Sequence, residues 1–322
     1  MDFEANPSDP TSLVAPPEAV GPGIYAVDSG YLRPELGAVH IVKAGHSTYI
    51  VDTGTHVSVP RTLDALDALD IDRRDVSHII LTHIHLDHAG GAGALMQALP
   101  DATLVVHPRG ARHMADPSKL IAGSIAVYGE DTFRTLYGEL VPIDADRILQ
   151  TSDEGTLEVG DRVLRFLHTP GHAKHHHCII DDVVKGVFTG DTFGLGYRSL
   201  NTPAGRFVFP SSAPVHFDPD AARTSIQRIL ATGYNTAWLT HYSRVDGLVG
   251  LAPQLLADLD AFQDIVGRGG DTDAVEAALM TYLCARAAAM GHAGTDAERR
   301  DILALDVKLN AQGLVVWRAR QG

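Results

Sequence analysis

The apolar positions in the first 110 residues form two kinds of segment. Leu63, Leu66 and Leu69 recur at every third residue after Pro60, and this spacing predicts an amphipathic helix. A run of small residues with Leu and Met at 90–99 predicts a second helix. The other segments are short runs rich in Val, Ile and Tyr, which predict strands: GIYAVD, AVHIVKAG, STYIVDTG, VSHIILTH and ATLVVHP. Strands that alternate with helices are typical of an α/β fold.

The second half continues this alternation and adds one long irregular segment. Residues 192–217 are rich in Gly, Pro, Ser and Phe without a clear period, and a loop of that length is usually functional or disordered. Asp218 followed by Pro219 predicts the start of a helix. The remaining predictions are a helical insertion at 109–145, strands at 156–171, 175–181, 183–191 and 235–243, helices at 218–232, 250–268, 273–290 and 295–306, and a terminal apolar run LVVWRAR.

We predict three parts: an N-terminal arm at 1–20, a main domain at 21–268 and a small helical C-terminal appendage at 269–322. The sequence GRGGDTD at 267–273 is the predicted linker. The appendage is too short to build a core alone, yet its apolar side is too large to leave in water. We therefore expect it to pack on the main domain and to cover a functional site or a dimer contact. This side consists of Leu283, Ile302, Leu303, Leu305, Leu309, Val315 and Trp317.

Charge and composition narrow the class of partner. The 322 residues carry a net charge of −14, which argues against a phosphate-backbone partner, so no nucleic acid is expected. Two cysteines, Cys178 and Cys284, exclude a disulfide scaffold. The N-terminal sequence lacks the basic start and apolar run of a secretory signal, and no apolar window spans a bilayer. We predict a cytoplasmic protein that acts on a small molecule, with no membrane partner and with a homodimer left open.

The densest chemistry lies at Thr82-His83-Ile84-His85-Leu86-Asp87-His88-Ala89-Gly90-Gly91, between a predicted strand and a predicted helix. His83 and His85 are two residues apart, so at an extended strand end they point the same way. Asp87 and His88 follow as the chain turns. Imidazole and carboxylate groups are ligands that zinc, iron and manganese accept. Four such side chains in six residues suit two adjacent cations.

This motif resembles the ligand motif of the metallo-β-lactamase superfamily, and the resemblance covers roughly residues 23–245. Four further motifs follow the family's order: VDTG (51–54), HTPGH (168–172), FTGD (188–191) and LTH (239–241). The resemblance implies an αββα sandwich with metals at one edge. It also implies a first metal on His83, His85 and His172, a second on Asp87, His88 and His241, and Asp191 as a bridge.

A few other residues are candidates for supporting roles because of their type and their place near the predicted ligands. Asp52 in VDTG is expected to orient a ligand. Tyr242, next to His241, is a candidate donor to an oxyanion, and Asp87 or Asp191 is a candidate proton carrier for the leaving group. His175, His176 and His177 are interpreted as ordinary strand residues. The loop 192–217 offers side chains for a substrate wall: Phe193, Tyr197, Arg198, Arg206, Phe207 and Phe209.

The expected reaction is hydrolysis, in which a hydroxide that bridges two divalent ions attacks a lactone or carboxylic ester carbonyl. Zinc is the expected metal, and iron and manganese are the alternatives. Asp191 stands where class B β-lactamases commonly carry a cysteine, which argues against antibiotic hydrolysis as the native reaction. His85 stands where flavodiiron oxygen reductases carry an acidic residue, which argues against that class of enzyme. No basic glutathione-binding cluster of the glyoxalase II kind is evident. Two alternatives stay open: a mononuclear iron oxygenase that resembles the persulfide dioxygenases in the spacing of HTPGH and FTGD, and a thioester hydrolase.

Overall fold

A computed structural model of the protein describes residues 15–321. The predicted N-terminal arm therefore lies mostly outside the described residues, and its last three positions belong to the first strand. Thirteen strands lie in the described part: β1 Glu18–Gly21, β2 Ile24–Asp28, β3 Ala38–Ala44, β4 Ser47–Val51, β5 Val76–Ile80, β6 Thr103–Val106, β7 Ile148–Gln150, β8 Thr156–Val159, β9 Arg162–His168, β10 His177–Asp181, β11 Gly186–Gly190, β12 Thr236–Leu239 and β13 Ser243–Asp246.

Helices separate the parallel strands and fill the C-terminal region. Ten α-helices lie in the described part: α1 Val59–Ala68, α2 Leu86–Ala89, α3 Ala92–Ala98, α4 Pro108–Ala115, α5 Ser118–Tyr128, α6 Glu130–Tyr137, α7 Pro219–Ala231, α8 Leu248–Gly267, α9 Thr272–Ala289 and α10 Asp296–Ala319. None of the helices in this part is both long and apolar enough to cross a membrane.

The described residues divide into two compact units. The first contains the chain up to His168 together with His175–Phe188, and the second contains Thr169–Lys174 and the chain from Thr189 onward. The division predicted from the sequence, 1–20, 21–268 and 269–322, stays a prediction.

The first unit is built on a seven-stranded sheet in the order β1-β2-β3-β4-β5-β6-β7. The strands from β1 to β4 pair antiparallel, and those from β4 to β7 pair parallel. Parallel neighbours need crossover connections, which the helices α1 to α6 supply. Ile50, Ile79 and Leu104 are fully buried in one core with Leu66 of α1 and Leu95 of α3, as their apolar spacing predicts.

The first unit also holds β8, β9, β10 and the first three residues of β11, which pair antiparallel in the order β11-β10-β9-β8 in the second sheet. A buried ion pair joins two of them: Arg162 Nη1 lies 2.5 Å from Asp181 Oδ2. The Tyr49 hydroxyl of β4 donates to the same oxygen at 2.9 Å. Arg162 Nη2 donates to the carbonyls of Pro22 and Lys43 at 2.8 and 3.1 Å. One buried arginine thereby ties three parts of the first unit together.

In the second unit, the β12–β13 hairpin precedes the helices α8 to α10. Asp218 accepts hydrogen bonds from the first turn of α7, as the sequence predicts, and Asp271 does the same for α9. The predicted linker coincides with the break between α8 and α9. The terminal run LVVWRAR, predicted apart from the last helix, is instead part of α10. Its apolar residues continue the spacing of the helix before them, so the helix does not stop at residue 306.

Candidate metal centre

The strand end after β5 carries the first group of candidate ligands, as the sequence predicts. His83 and His88 are fully buried, and His85 and Asp87 are partly exposed. His83 Nε2 lies 3.0 Å from His85 Nδ1, and His88 Nε2 lies 3.6 Å from Asp87 Oδ2. The short helix α2 brings Asp87 and His88 back toward the strand end. One turn of chain thus collects three imidazoles and a carboxylate.

Asp52 fixes the proton positions of this group. The ring Nδ1 of His88 donates to Asp52 Oδ2 at 2.8 Å, which leaves Nε2 with its lone pair. The Thr82 hydroxyl donates to Asp52 at 2.9 Å and lies 3.1 Å from His83 Nδ1. Because that hydroxyl proton goes to Asp52, the oxygen accepts from His83, whose Nε2 is then also unprotonated. Both nitrogens are in the state that a metal needs.

The turn VDTG holds Asp52 in this position. Asp52 has a φ of 57°, in the left-handed region, and its amide donates to the Ile80 carbonyl at 3.0 Å. Its side chain also accepts from the Thr82 amide at 2.8 Å. Asp52 therefore contacts a candidate ligand directly, while its role in orienting a metal ligand stays a prediction. Thr82, which the sequence reasoning missed, was detectable as the residue directly before the histidine motif.

The second unit carries the remaining candidates at three chain positions. Asp191 directly follows β11, His241 lies just after β12, and His172 ends the HTPGH motif; all three are buried. His172 Nε2 lies 3.5 Å from Asp191 Oδ2, and His241 Nε2 lies 3.7 Å from Asp191 Oδ1. The His172 Nδ1 donates to the Ser211 carbonyl at 3.2 Å, which again leaves Nε2 for a metal.

The donor groups in each unit fit divalent transition metals. In the first unit, candidate donor atoms of His83, His85, Asp87 and His88 lie within 4.8 Å of a neighbour in the group. Two imidazole nitrogens on one tetrahedral zinc are roughly 3.3 Å apart for Zn–N bonds of about 2.0–2.1 Å. The 3.0 Å between His83 Nε2 and His85 Nδ1 is close to that value. Each unit therefore holds a His/Asp cluster that could bind metal, while the seven-residue set as a whole stays a prediction.

His175 and His176 depart from their interpretation as strand residues, since β10 begins only at His177. The ring of His176 stacks on that of His83 with centroids 4.9 Å apart, and His175 Nδ1 accepts from the Ile84 amide at 3.4 Å. Both rings pack against the histidine motif within the first unit. The repeated histidines after HTPGH were the available signal for this packing.

His177 belongs to a separate cluster with His107 and His168, in which His107 and His177 are buried and His168 is half-buried. The His107 and His168 ring centroids are 4.2 Å apart, and Thr151 Oγ1 lies 3.0 Å from His177 Nδ1. Burial, with additional effects of the neighbouring His107 and His168, lowers the pKa of His177 to about 3. Burial, with additional effects of the neighbouring His168 and Arg109, lowers the pKa of His107 to about 4. Both rings are neutral in the folded protein at physiological pH.

The neutral state of His177 predicts an acid-sensitive stability. An unfolded histidine titrates near pH 6.5, so below that pH protons bind the unfolded chain more strongly. The contribution of His177 is complete above about pH 6.5 and is lost progressively as the pH falls toward 3. Between pH 6.5 and 5, the loss is about 2 kcal/mol of unfolding free energy. We expect the His177→Gln protein to lose less unfolding free energy than the wild type between these two pH values. Chemical denaturation at each pH measures the difference.

The exposed His46 provides the control, as His46→Gln. Release of bound metal at acid pH affects all three proteins alike, so the comparison of their pH slopes cancels it. A His177→Gln protein with the wild-type slope would contradict the prediction.

The loop 192–217 does not present an aromatic wall. Phe193, Tyr197, Phe207 and Phe209 are at most 1% exposed and pack as core within the second unit. The rings of Tyr197 and Phe209, for example, have centroids 6.1 Å apart. The apolar side chains of the loop are numerous enough to pack against one another. The irregular spacing of these residues along the chain gave no indication of this burial. Tyr242 is also buried, and the Arg198 guanidinium carbon lies 4.7 Å from its ring centroid.

Comparison with known proteins identifies the family. The model of the metallo-β-lactamase superfamily matches residues 32–244, so the chain belongs to this superfamily. A metallo-β-lactamase fold-containing protein of Sulfurisphaera tokodaii is 26% identical over 204 residues, which cover 60% of this chain and 68% of that protein. A thioesterase of Emericella nidulans is 30% identical over 164 residues, 49% of this chain and 36% of its own length.

Solved structures share the fold over nearly the whole chain. An archaeal superfamily protein from Sulfolobus tokodaii matches with a TM-score of 0.65 at 22% identity, over 91% of this chain and 98% of that one. A family protein from Thermus thermophilus matches with a TM-score of 0.67 at 20% identity, over 94% and 95%. The predicted fold class is confirmed: a mixed α/β metallo-β-lactamase fold with two sheets and a helical C-terminal region, consistent with the αββα sandwich. The chain is accordingly of a hydrolase superfamily.

Proposed function

We propose that the protein is a dinuclear metal-dependent hydrolase that cleaves a lactone or carboxylic ester. The observation that carries the proposal is the placement of Asp191, whose two carboxylate oxygens face the Nε2 atoms of two different histidines. A carboxylate in this position suits a bridge between two ions. The proposed ligands are His83, His85 and His172 for the first ion, Asp87, His88 and His241 for the second, and Asp191 for both.

The residues divide the chemistry among them. When bound, two divalent ions supply Lewis acidity and activate water at neutral pH, and zinc suits this donor set best. With only two carboxylates in the proposed set, the loaded site keeps a positive charge that attracts an oxyanion. Asp87 retains 25% of its side-chain exposure and Asp191 only 6%, so Asp87 is better placed to exchange a proton with solvent. We assign Tyr242 as a donor to the oxyanion, with Arg198 against its ring.

A thioester is the second candidate substrate. Relatives that match this chain carry thioesterase names, among them the Emericella nidulans thioesterase and an atrochrysone carboxyl ACP thioesterase of a Cryptosporiopsis species that is 28% identical over 153 residues. The chain spans only 36% and 37% of the lengths of these two relatives. A thioester carbonyl requires the same activated water and the same oxyanion donor, so the proposed site serves either substrate.

The test combines a substrate panel with paired variants. We expect zinc-loaded protein, kept anaerobic, to release acid from a γ-lactone, an aryl ester or an acyl thioester, and to contain about two ions per chain. His83→Gln should lose metal and activity to the uncatalysed background, because it removes a ligand from the first ion. His113→Gln, outside the proposed set, should retain both.

Two results would overturn the proposal. One is protein that contains no stoichiometric metal and takes up none on reconstitution. The other is activity that appears only with iron and consumes oxygen in step with a persulfide substrate, which would establish the oxygenase alternative.

A further inference from the structure

We infer that the C-terminal helix α10 positions the candidate ligands His172 and His241 through two buried polar residues, Asp306 and Asn310. This inference rests on the proposed function, since it concerns ligands of that site. Asp306 and Asn310 are one helical turn apart, so they lie on the same face of α10. They are 7% and 1% exposed, which is unusual for polar side chains of a helix unless they have buried partners.

Asn310 fixes the segment that holds His172. Its Oδ1 accepts from the Ser212 amide at 2.6 Å and from the Ser212 hydroxyl at 3.0 Å. Its Nδ2 donates to the Pro210 carbonyl at 3.0 Å. These hydrogen bonds fix the backbone on both sides of Ser211, whose carbonyl accepts a hydrogen bond from His172 Nδ1. The position of one side-chain amide therefore sets the tautomer and ring direction of His172.

Asp306 acts on His241 through an aromatic ring. Asp306 Oδ1 accepts from the Tyr197 hydroxyl at 3.1 Å. The Tyr197 ring is 1% exposed and meets the His241 ring edge to face, with centroids 6.4 Å apart and an interplanar angle of 80°. The hydroxyl bond prevents Tyr197 from tilting, so the face against which His241 rests is fixed.

Gly313 allows α10 to come close enough for these bonds. A Cβ built at Gly313 would lie 1.5 Å from the Ser212 carbonyl oxygen. Any side chain there would push the helix away from the segment that Asn310 binds. Asp306, Asn310 and Gly313 thus form one continuous line of contact, and the role of α10 is to support ligands as well as to cover apolar surface.

The test measures Zn²⁺ binding by the metal-free full-length chain, using a competing chelator. Loss of groups that orient metal ligands typically weakens affinity about 10–100-fold. We expect a weakening in that range for Asn310→Leu and Asp306→Leu, at unchanged folded content by circular dichroism. Asp306→Asn, which keeps the acceptor for Tyr197, should restore near-wild-type affinity. Val307→Ala is the matched control, because it loses buried volume on the same helix without a hydrogen bond to lose.

The outcomes separate this inference from the proposed function. Unchanged affinity in both leucine variants, or an equal loss in Val307→Ala, would overturn the inference while the wild type still binds zinc. A wild-type chain that binds no zinc would overturn both. If the leucine variants fail to fold, Tyr197→Phe tests the role of Asp306 by removing the hydroxyl that donates to it. Unchanged zinc affinity in Tyr197→Phe would overturn the inferred role of Asp306.

Discussion

Asp191→Ala is expected to reduce hydrolysis to the uncatalysed background and to lower the metal content below two ions per chain. Each oxygen of this carboxylate faces a different histidine nitrogen, at 3.5 and 3.7 Å. In the proposed site, its loss leaves both ions with one ligand fewer and removes the bridge between them. Metal analysis and turnover of the same preparation measure the two effects together.

Tyr242→Phe provides the comparison for Asp191→Ala. It removes one hydrogen bond to the developing oxyanion, so we expect turnover to fall about 10²–10³-fold with full metal content. Asp191→Asn is a second comparison, because it keeps the shape of the side chain and removes its charge. If Asp191→Ala and Tyr242→Phe both have mild and similar effects, then the assignment of Asp191 as a bridging ligand is wrong.

Arg162→Met is expected to destabilise the protein by about 3–5 kcal/mol, the usual result when one partner of a buried ion pair is removed. Arg162 is 6% exposed, and its removal leaves the fully buried Asp181 carboxylate without its counter-ion. The Tyr49 hydroxyl can still donate to Asp181, but it supplies no charge. The free energy of unfolding from urea denaturation measures the effect.

The same strand supplies a matched control. Arg165 on β9 pairs with Asp182, and these side chains are 33% and 40% exposed. An exposed pair contributes roughly 0–1 kcal/mol, so Arg165→Met should have little effect. The double variant Arg162→Met with Asp181→Leu should recover much of the lost stability, because no unpaired charge remains. Similar losses of unfolding free energy from Arg162→Met and Arg165→Met would show that the buried ion pair contributes no more to stability than the exposed one.

The parts of the site that could be predicted from the sequence are those whose residues are neighbours in the chain. His83, His85, Asp87 and His88 lie within six positions, and the strand before them is a continuous apolar run. The geometry of a strand end then determines where their side chains point. The same holds for the N-cap at Asp218, where one side chain bonds the next turn.

The parts that could not be predicted depend on distant segments or on packing. Nothing near Asn310 in the sequence marks it as a partner of Ser212, because that contact exists only once α10 is packed. The aromatic residues of the loop 192–217 failed as a predicted substrate wall for a related reason. Composition reports that Phe193 or Phe207 is apolar, and only the fold determines whether it faces a substrate or the core.

The hydrogen bonds that support the candidate ligands differ in the number of residues that separate the two bonded partners along the chain. Asp52 and His88 are 36 residues apart, whereas Ser212 and Asn310 are 98 apart and Tyr197 and Asp306 are 109 apart. Distant contacts form late, because the entropy of a long loop must be lost before any bond compensates it. Because the inferred supports of His172 and His241 come from α10, we expect these two side chains to acquire their final orientation after His88 does. High-affinity metal uptake should therefore be among the last events of folding.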